Sequence, residues 1–406
     1  MSSFLKTMTI FKAFKYRIYP TGPQEILLNK TFGCVRKVWN RNVDIFNKYD
    51  RDLEVQEMSL TSTELKTEFP FMKEVSAAAL QQKQIDFQSF KKNFFSKERK
   101  GKKIGRPFFK TKFGKQSYRL PNQKFGLNSD SIRLEKIPGP IKLIKDKDIP
   151  VGSKLMNVTI SKNLCNQFFA SVLVETEISP LPNTGKSVGI DLGLKEFLIR
   201  SDGETVKNPR LFRDSQAKLK IAQRNLARKR KGSVRRRKAK LKVARIHNKI
   251  ANCRKDFLHK ETTKLVKEFD FIGIEDLNVS GMVKNHKLAK SISDASWSEF
   301  VRMLTYKALW YGKEVVKIGR FFASSKTCNC CGWKNVYLTL QNRIFNCREC
   351  GSSIDRDLNA AKNILKEALR IGNAIRTQSG SQPTQPYRAV LLPAVKRLKL
   401  IGNLLP

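Results

Sequence analysis

Residues 187–197 read Ser-Val-Gly-Ile-Asp-Leu-Gly-Leu-Lys-Glu-Phe, a short apolar run in which one carboxylate, Asp191, stands between Ile190 and Leu192. Apolar and β-branched residues bounded by glycine are typical of a half-buried strand. A carboxylate in such a strand is costly to remove from water unless it is paired or binds a metal ion. The stretch therefore predicts a strand that carries a functional acid.

Two further acids stand in local sequence that suits the same site. Glu275 ends a second apolar run, residues 271–275, and Asp357 opens a run with helical spacing, Asp-Leu-Asn-Ala-Ala-Lys-Asn-Ile-Leu. Carboxylates are hard ligands of the kind Mg²⁺ prefers, and a pair of Mg²⁺ ions can drive hydrolysis of a phosphodiester. Three acids on two strands and a helix therefore predict a magnesium-dependent phosphodiesterase site.

Each acid also has a structural interpretation. Asp357 is a suitable N-cap for a helix over residues 358–369, and Glu275 is alternatively an ordinary strand-end residue beside a functional Asp276. Asp191 is the hardest to explain in this way, because both of its neighbours are large and apolar. At the level of single residues these alternatives stay open.

The charge of the chain predicts its partner. The 406 residues include 80 Lys and Arg against 35 Asp and Glu, a formal net charge of +45. Nucleic acid is the natural partner, because binding of Lys and Arg to phosphates releases counterions. No apolar run approaches the roughly 20 residues of a spanning helix, and the N-terminus lacks a signal-peptide core. We therefore expect a soluble protein that stays inside the cell, with no membrane partner.

The most basic segment is residues 218–249, with 15 Lys or Arg and no acid in 32 residues. Gly232-Ser233 predicts a break that makes this segment a helical hairpin. Its second helix should bury one stripe, because five apolar residues recur at intervals of three and four: Val243, Ile246, Ile250, Cys253 and Phe257. So dense a run of one sign repels itself unless a polyanion lies along it, which favours contact with nucleic acid over a merely solvated face.

A second basic segment, residues 100–115, interleaves Lys and Arg with Phe108, Phe109 and Phe113. Basic charge holds phosphates, and phenylalanine rings can stack on bases or ribose. The alternative is a solvated loop whose phenylalanines pack on a neighbouring domain.

Two cysteine pairs predict a metal module. Cys328-x2-Cys331-Gly and Cys347-x2-Cys350-Gly are separated by 15 residues. Four thiolates at this spacing suit a tetrahedral Zn²⁺ ion, and the glycines allow the tight turns. We expect one structural zinc, because four protein ligands leave no open position, and a module this short needs the metal for its stability. Cys330 is the spare thiol.

Strand and helix patterns alternate in the rest of the chain. Residues 11–19 predict a strand, residues 24–48 and about 73–95 predict helices, and the pattern over 117–177 suggests a β-barrel that includes the first strand. Farther on, Asp294 or Ser293 is expected to cap the helix that begins near Trp297.

The order of these motifs resembles the TnpB family of insertion-sequence proteins, which are related to type V CRISPR effectors. The residues that carry the resemblance are Gly-Ile-Asp-Leu-Gly (189–193), Ile-Glu-Asp-Leu (274–277), the cysteine module running into Asp-Arg-Asp-Leu-Asn-Ala-Ala-Lys-Asn-Ile-Leu (355–365), Lys-Tyr-Arg-Ile-Tyr-Pro (15–20), Thr-Phe-Gly-Cys-Val-Arg-Lys-Val-Trp-Asn (31–40) and Gly105-x-Pro107-x-Phe109-Lys110. The match covers most of residues 11–370, and no family motif is visibly broken.

The resemblance implies an α/β protein in which an RNase H-like (RuvC) nuclease domain carries an inserted four-cysteine zinc ribbon. It also implies an N-terminal β-barrel, the wedge domain, that carries a helical recognition insertion. The expected ranges are 1–21 and 101–182 for the wedge, 22–100 for the recognition insertion, 186–325 and 354–372 for the nuclease domain, 326–353 for the ribbon, and 373–406 for a flexible C-terminal tail of unassigned role.

The resemblance further implies an RNA-guided DNA endonuclease. A guide RNA from the transposon end would pair with target DNA, which is cut beside a short motif read by the N-terminal domains. The implied catalytic acids and ligands of two Mg²⁺ ions are Asp191, Glu275 and Asp357. Asp357 is preferred to Asp355 because it stands two residues before Asn359. The implied zinc ligands are the four paired cysteines, and the expected particle is a monomer bound to RNA.

Two other functions compete with this interpretation. A nuclease-inactive regulator would bind RNA or DNA without cutting it. A transposase that joins DNA ends is disfavoured in its tyrosine form, because none of the three histidines belongs to a pair around one apolar residue. In its three-acid form it is disfavoured by the cysteine module directly before the last acid.

Overall fold

The computed structural model describes residues 7–48, 60–96, 104–339 and 341–378. The described chain divides into two compact units, one over residues 9–177 and the other over residues 178–378. Residues 379–406, most of the predicted flexible tail, lie outside the described residues. No helix in the described ranges is long and apolar enough to cross a membrane.

The first unit combines a sheet with three helices in its described residues. Its elements are β1 (Met8–Tyr19), α1 (Gly22–Lys48), α2 (Ser62–Glu68), α3 (Ala77–Phe95), β2 (Gln116–Pro121), β3 (Phe125–Leu127), β4 (Ser131–Leu134), β5 (Ile141–Ile144), β6 (Lys154–Lys162) and β7 (Phe168–Ile178). The sheet order is β2-β6-β7-β1-β5-β4-β3, and a short turn joins the two edge strands, so the sheet nearly closes into a barrel. Phe14, Tyr16 and Ile18 point from β1 into the core, as their alternation predicts.

The second unit is built on a five-stranded sheet. Its elements are β8 (Ser187–Leu192), β9 (Glu196–Arg200), β10 (Thr205–Lys207), α4 (Leu211–Ala227), α5 (Val234–Glu268), β11 (Phe271–Glu275), α6 (Val279–Met282), α7 (Ala289–Ala295), α8 (Trp297–Tyr311), β12 (Glu314–Ile318), β13 (Ile344–Asn346), β14 (Ser353–Asp355) and α9 (Arg356–Gln378). The sheet order is β10-β9-β8-β11-β12, while β13 and β14 form a separate ribbon inserted before α9.

The strand directions of this sheet are those of an RNase H-like fold. β8 runs antiparallel to β9, and β9 runs antiparallel to β10. β11 lies parallel to β8 on one side and to β12 on the other. The expected fold class is therefore confirmed: an RNase H-like α/β sheet with an inserted cysteine ribbon, together with a barrel-like N-terminal sheet that carries helices.

Helices cover both faces of the five-stranded sheet. On one face, Ile190 and Ile274 pack with Leu265 of α5 and Phe300 of α8. On the other face, a smaller core joins strand residues to α9: Phe271, Val316, Ile318, Ile364 and Ala368. Both faces of β8 and β11 are therefore buried, which explains why these strands read as nearly continuous apolar runs.

Two glycines let α9 lie directly on the strands. A Cβ atom at Gly189 of β8 would overlap the carbonyl oxygen of Ala361 and lie 2.5 Å from the backbone nitrogen of Leu365. A Cβ atom at Gly273 of β11 would lie 2.6 Å from the Cβ of Ala368. No side chain fits at either position, so glycine here is a requirement of close helix–strand packing.

The basic segment forms the predicted helical hairpin. α4 ends at Ala227, and Ser233 caps α5, its hydroxyl accepting a hydrogen bond from the backbone N–H of Arg236. The predicted stripe is wrong in part, because Cys253 is exposed whereas Leu258 is buried. The difference arises because Leu258, Leu265 and Val266 of α5 face the core that this helix shares with α8, and that contact selects a different side of the helix.

The cap expected from Asp294 is also different. Asp294 lies inside α7, and its carboxylate accepts hydrogen bonds from the backbone N–H of Phe212, at 3.0 and 3.2 Å. It therefore caps α4, while Ser296 precedes α8 in a left-handed conformation without a side-chain cap. The expectation that Asp294 or Ser293 caps the helix at Trp297 is wrong, because a contact across 82 residues recruits the Asp294 carboxylate.

We expect Gly189→Ala to lower the free energy of unfolding by about 1–3 kcal/mol, because the added methyl group overlaps the α9 backbone and the helix must shift. Denaturant unfolding of the purified protein measures the change. Gly33→Ala is the matched control, since a Cβ at Gly33 in α1 meets only the end of the Arg36 side chain, 3.9 Å away. Unchanged unfolding in Gly189→Ala would contradict the packing.

Candidate functional site

Three carboxylates lie where the five-stranded sheet meets the start of α9. β8 and β11 are parallel, and Ile190 pairs with Ile274, so Asp191 and Glu275 occupy the next position on each strand at the same sheet edge. Each acid follows its glycine by two residues and so faces α9, as the glycine does. Asp357 lies in the first turn of α9.

The electrostatics of Asp191 reflect this placement. Burial raises the pKa of Asp191 to about 7, the charges of Glu275 and Asp357 add to the rise, and Arg356 opposes it. Burial also raises the pKa of Glu275. The charges of Glu275 and Asp357 therefore act on Asp191, although the oxygens of the three acids do not all lie within 4.8 Å of one another. This repulsion at Asp191 favours a bound cation.

The structure separates the roles of Asp355 and Asp357. One carboxylate oxygen of Asp355 accepts hydrogen bonds from the backbone N–H groups of Asp357, at 2.9 Å, and Leu358, at 3.0 Å. Asp355 is thus the N-cap of α9, and the interpretation of Asp357 as the cap is wrong. The Asp357 carboxylate instead accepts two hydrogen bonds from the Arg356 guanidinium, at 2.9 and 3.0 Å.

The alternative acid, Asp276, binds an arginine side chain. Its carboxylate pairs with the Arg320 guanidinium at 2.6 Å, and its backbone oxygen accepts a further hydrogen bond from the same side chain. Asp276 therefore ties the end of β11 to the segment after β12.

A serine that the sequence did not single out holds Glu275. The Ser324 hydroxyl donates a hydrogen bond to the Glu275 carboxylate. The Asn363 amide of α9 in turn donates to the backbone oxygens of Ser324, at 2.8 Å, and Thr327, at 2.6 Å. The only signal in the sequence is the pair Asn359 and Asn363, two polar residues on the buried side of α9.

The four paired cysteines form a compact ligand cluster. Their sulfur atoms all lie within 4.8 Å of one another, with 3.7 Å between Cys328 and Cys350 and 3.5 Å between Cys331 and Cys347. Ligands about 2.3 Å from a tetrahedral zinc stand about 3.8 Å apart, so the cluster fits that ion. Gly332 follows one pair at φ +83° and Gly351 follows the other at φ +66°, which gives both turns the left-handed residue they need.

The cysteine cluster is joined to α9 as well. The Asn359 amide donates to the backbone oxygen of Thr327 at 2.7 Å and accepts from the backbone N–H of Asn329 at 3.0 Å. These residues flank Cys328, whose own N–H donates to the Trp333 oxygen at 2.7 Å. The first cysteine turn is therefore positioned by the helix that carries Asp357.

The helical hairpin exposes many cations around a turn that is closed by hydrogen bonds. The Arg236 guanidinium donates to the backbone oxygens of Leu226 and Lys229, both at 2.9 Å, and so closes the turn between α4 and α5. The exposed cations around this turn are Arg228, Lys229, Arg230, Lys231, Arg235, Arg237 and Lys238.

Three family profiles match the chain. One described as "Probable transposase" covers residues 170–286, one described as "Cas12f1-like, TNB domain" covers 297–364, and one described as "Helix-turn-helix domain" covers 8–48. In the structure the last range is strand β1 followed by the single helix α1.

Two relatives match over nearly their whole length. A protein of Streptomyces pristinaespiralis, named as a candidate RNA-guided DNA endonuclease, is 40% identical over 92% of this chain and 94% of its own. InsQ of Escherichia coli strain K12, named in the same way, is 32% identical over 94% of this chain and 100% of its own. A solved structure, a Cas12f1–sgRNA–target DNA complex, is 14% identical, with a TM-score of 0.47 over 88% of this chain and 98% of its own. By its identity to these two relatives, the chain belongs to the TnpB family of insertion-sequence proteins.

Proposed function

We propose that this protein is an RNA-guided DNA endonuclease that hydrolyses phosphodiester bonds in target DNA beside a short adjacent motif. The observation that carries the proposal is the placement of Asp191 and Glu275 at the same end of two parallel strands of an RNase H-like sheet, with Asp357 near enough for its charge to raise the pKa of Asp191. Two full-length relatives that are named for this activity support it.

In this proposal the three acids hold two Mg²⁺ ions. The donor set fits, because carboxylates are hard ligands and three of them placed together in a half-buried site repel one another without a cation. Bound magnesium supplies activation of water and stabilisation of the leaving oxygen. Ser324 fixes the rotamer of Glu275, and Arg356 holds the Asp357 carboxylate against the start of α9.

We further propose one structural zinc on Cys328, Cys331, Cys347 and Cys350. The ribbon around them has a core of very few residues: Phe345 is fully buried, and Trp333, Leu338 and Ile354 pack around it. So small a core cannot offset the entropy of ordering the ribbon, and metal binding would supply the missing stability.

The proposed partners are a guide RNA from the transposon end and the target DNA. The net charge of +45 and the exposed cations of the α4–α5 hairpin match two polyanions. We propose that the protein acts as a monomer within a ribonucleoprotein in the prokaryotic cytoplasm.

The test is co-expression with the flanking genomic DNA, followed by sequencing of the RNA that copurifies. The complex is then incubated with Mg²⁺ and a plasmid library that carries the RNA-matched target beside randomised bases. A defined RNA and guide-dependent cuts that vanish in Asp191→Ala support the proposal. A defined RNA with binding but no cuts would indicate a regulator, and joined DNA ends without a specific RNA would indicate a transposase.

Asp355 and Asp357 provide a matched pair of variants two residues apart. We expect Asp357→Asn to abolish cleavage with little change in unfolding, because it removes a metal ligand that is not the helix cap. Asp355→Ala should keep cleavage and lower the free energy of unfolding by about 1 kcal/mol, the usual cost of losing an N-cap. Cleavage assays and denaturant unfolding of both variants check the assignment, which the reverse pattern would overturn.

Ser324→Ala should slow cleavage about tenfold and raise the Mg²⁺ concentration needed for half-maximal rate, because Glu275 loses the hydrogen bond that orients it. Magnesium titration of the cleavage rate measures both effects. Ser324→Thr retains the hydroxyl and should restore most of the rate. A magnesium dependence that Ser324→Ala leaves unchanged would argue against the positioning role.

Cys347→Ser should remove the bound zinc and unfold the ribbon, since Cys347 is buried in the cluster. Elemental analysis of the purified protein gives zinc per chain. Cys330→Ser is the control, because this exposed thiol lies outside the cluster and its loss should leave the zinc content unchanged. Full zinc occupancy in Cys347→Ser would refute the ligand assignment.

A further inference from the structure

Residues 104–115, here named the aromatic loop, have almost no regular secondary structure but are held firmly on α1. The Trp39 indole N–H donates to the backbone oxygen of Phe108 at 2.9 Å. The Asn40 side chain exchanges two hydrogen bonds with the backbone of Lys110, at 2.9 and 2.7 Å. The Gln116 amide donates to the backbone oxygens of Thr111 and Gly114, both at 3.1 Å. The backbone of the loop is therefore fixed before any partner binds.

The phenylalanines of this loop point to solvent. Phe108 is 84% exposed, Phe109 is 55% exposed and Phe113 is 65% exposed, while Pro107, directly before Phe108, is buried. Three large apolar rings on one short segment form a hydrophobic surface of the kind that marks a binding site. The backbone hydrogen bonds to Trp39 and Asn40 keep these rings in place at low entropic cost on binding.

The charge of the loop indicates what lies against these rings. The aromatic loop contains four cations and no acid: Arg106, Lys110, Lys112 and Lys115. Alternating cations and aromatic rings suit a nucleic-acid strand whose bases are unpaired, because bases inside a duplex already have stacking partners. An acidic protein partner would match the cations but would offer no flat rings for the phenylalanines.

We propose that Phe108 and Phe109 stack on bases of the target DNA at the point where its two strands part. This inference rests on the proposed function, in which guide pairing requires the DNA duplex to open. The first base that leaves the duplex loses its stacking neighbour, and a ring on a fixed backbone replaces that neighbour. Nearby Arg106 and Lys112 hold the phosphates on either side of it.

The test compares two DNA substrates with one ribonucleoprotein. Both carry the target and adjacent motif found in the library experiment, one fully paired and one with a mismatched bubble over the first guide-pairing positions. The double variant Phe108→Ala, Phe109→Ala should cleave paired DNA about tenfold more slowly than the unchanged protein. It should cleave bubbled DNA at nearly the unchanged rate, because the strands are already apart.

Two further variants and a second readout complete the experiment. Phe108→Trp, Phe109→Trp retains flat rings and should restore cleavage of paired DNA. Phe71→Ala is the control, because Phe71 is an exposed phenylalanine, 51% accessible, outside the loop. A 2-aminopurine base beside the adjacent motif reports opening of the DNA duplex by fluorescence without Mg²⁺. Strand opening is therefore measured separately from cleavage, and the inference can be tested even if the proposed function fails.

An equal loss of cleavage on paired and bubbled DNA, or no loss on either, would overturn the inference. A drop in copurified RNA in the double alanine variant would also overturn it, by assigning the loop to the guide. A full rise in 2-aminopurine fluorescence with the alanine variant would show that the strands part without these rings.

Discussion

The second unit depends on the direct contact of α9 with β8 and β11 at Gly189 and Gly273. Because neither strand has a side chain there, the helix backbone approaches the sheet more closely than packing between side chains would allow. The first turn of α9 is brought to the strand ends, and the charge of Asp357 acts on Asp191, which is far from it in sequence.

The cysteine ribbon is part of the same arrangement. It is inserted between β12 and α9, so both of its ends lie near the acids. Asn359 binds backbone groups on either side of Cys328, and Asn363 binds the backbone oxygen of Ser324, whose hydroxyl donates to Glu275. A shift of the ribbon would therefore move a hydrogen-bond donor of the acid site, which gives the cysteine cluster a physical connection to the acids beyond its own stability.

Local patterns were enough to predict much of this molecule. The apolar runs at Asp191 and Glu275 predicted two strands of the sheet, and the spacing of four cysteines predicted their cluster. Contacts across long stretches of chain could not be predicted in this way. Asp294 caps a helix 82 residues before it, and Ser324 binds an acid 49 residues away. Asp355 and Asp357 are equally suitable as caps by residue type, and only the position of the helix start decided between them.

The α4–α5 hairpin is ordered although its many cations repel one another. Its buried residues lie away from the turn, so apolar packing does not hold the turn itself; they are Leu219 and Ala222 in α4 and Ile250, Leu258, Thr262, Leu265 and Val266 in α5. Arg236 closes the turn by donating to carbonyl oxygens at the end of α4, where the helix dipole favours a cation. One arginine therefore stabilises a turn that repulsion between the neighbouring cations destabilises. Because the hairpin is ordered without a partner, a polyanion that binds along it need not supply the free energy of folding it.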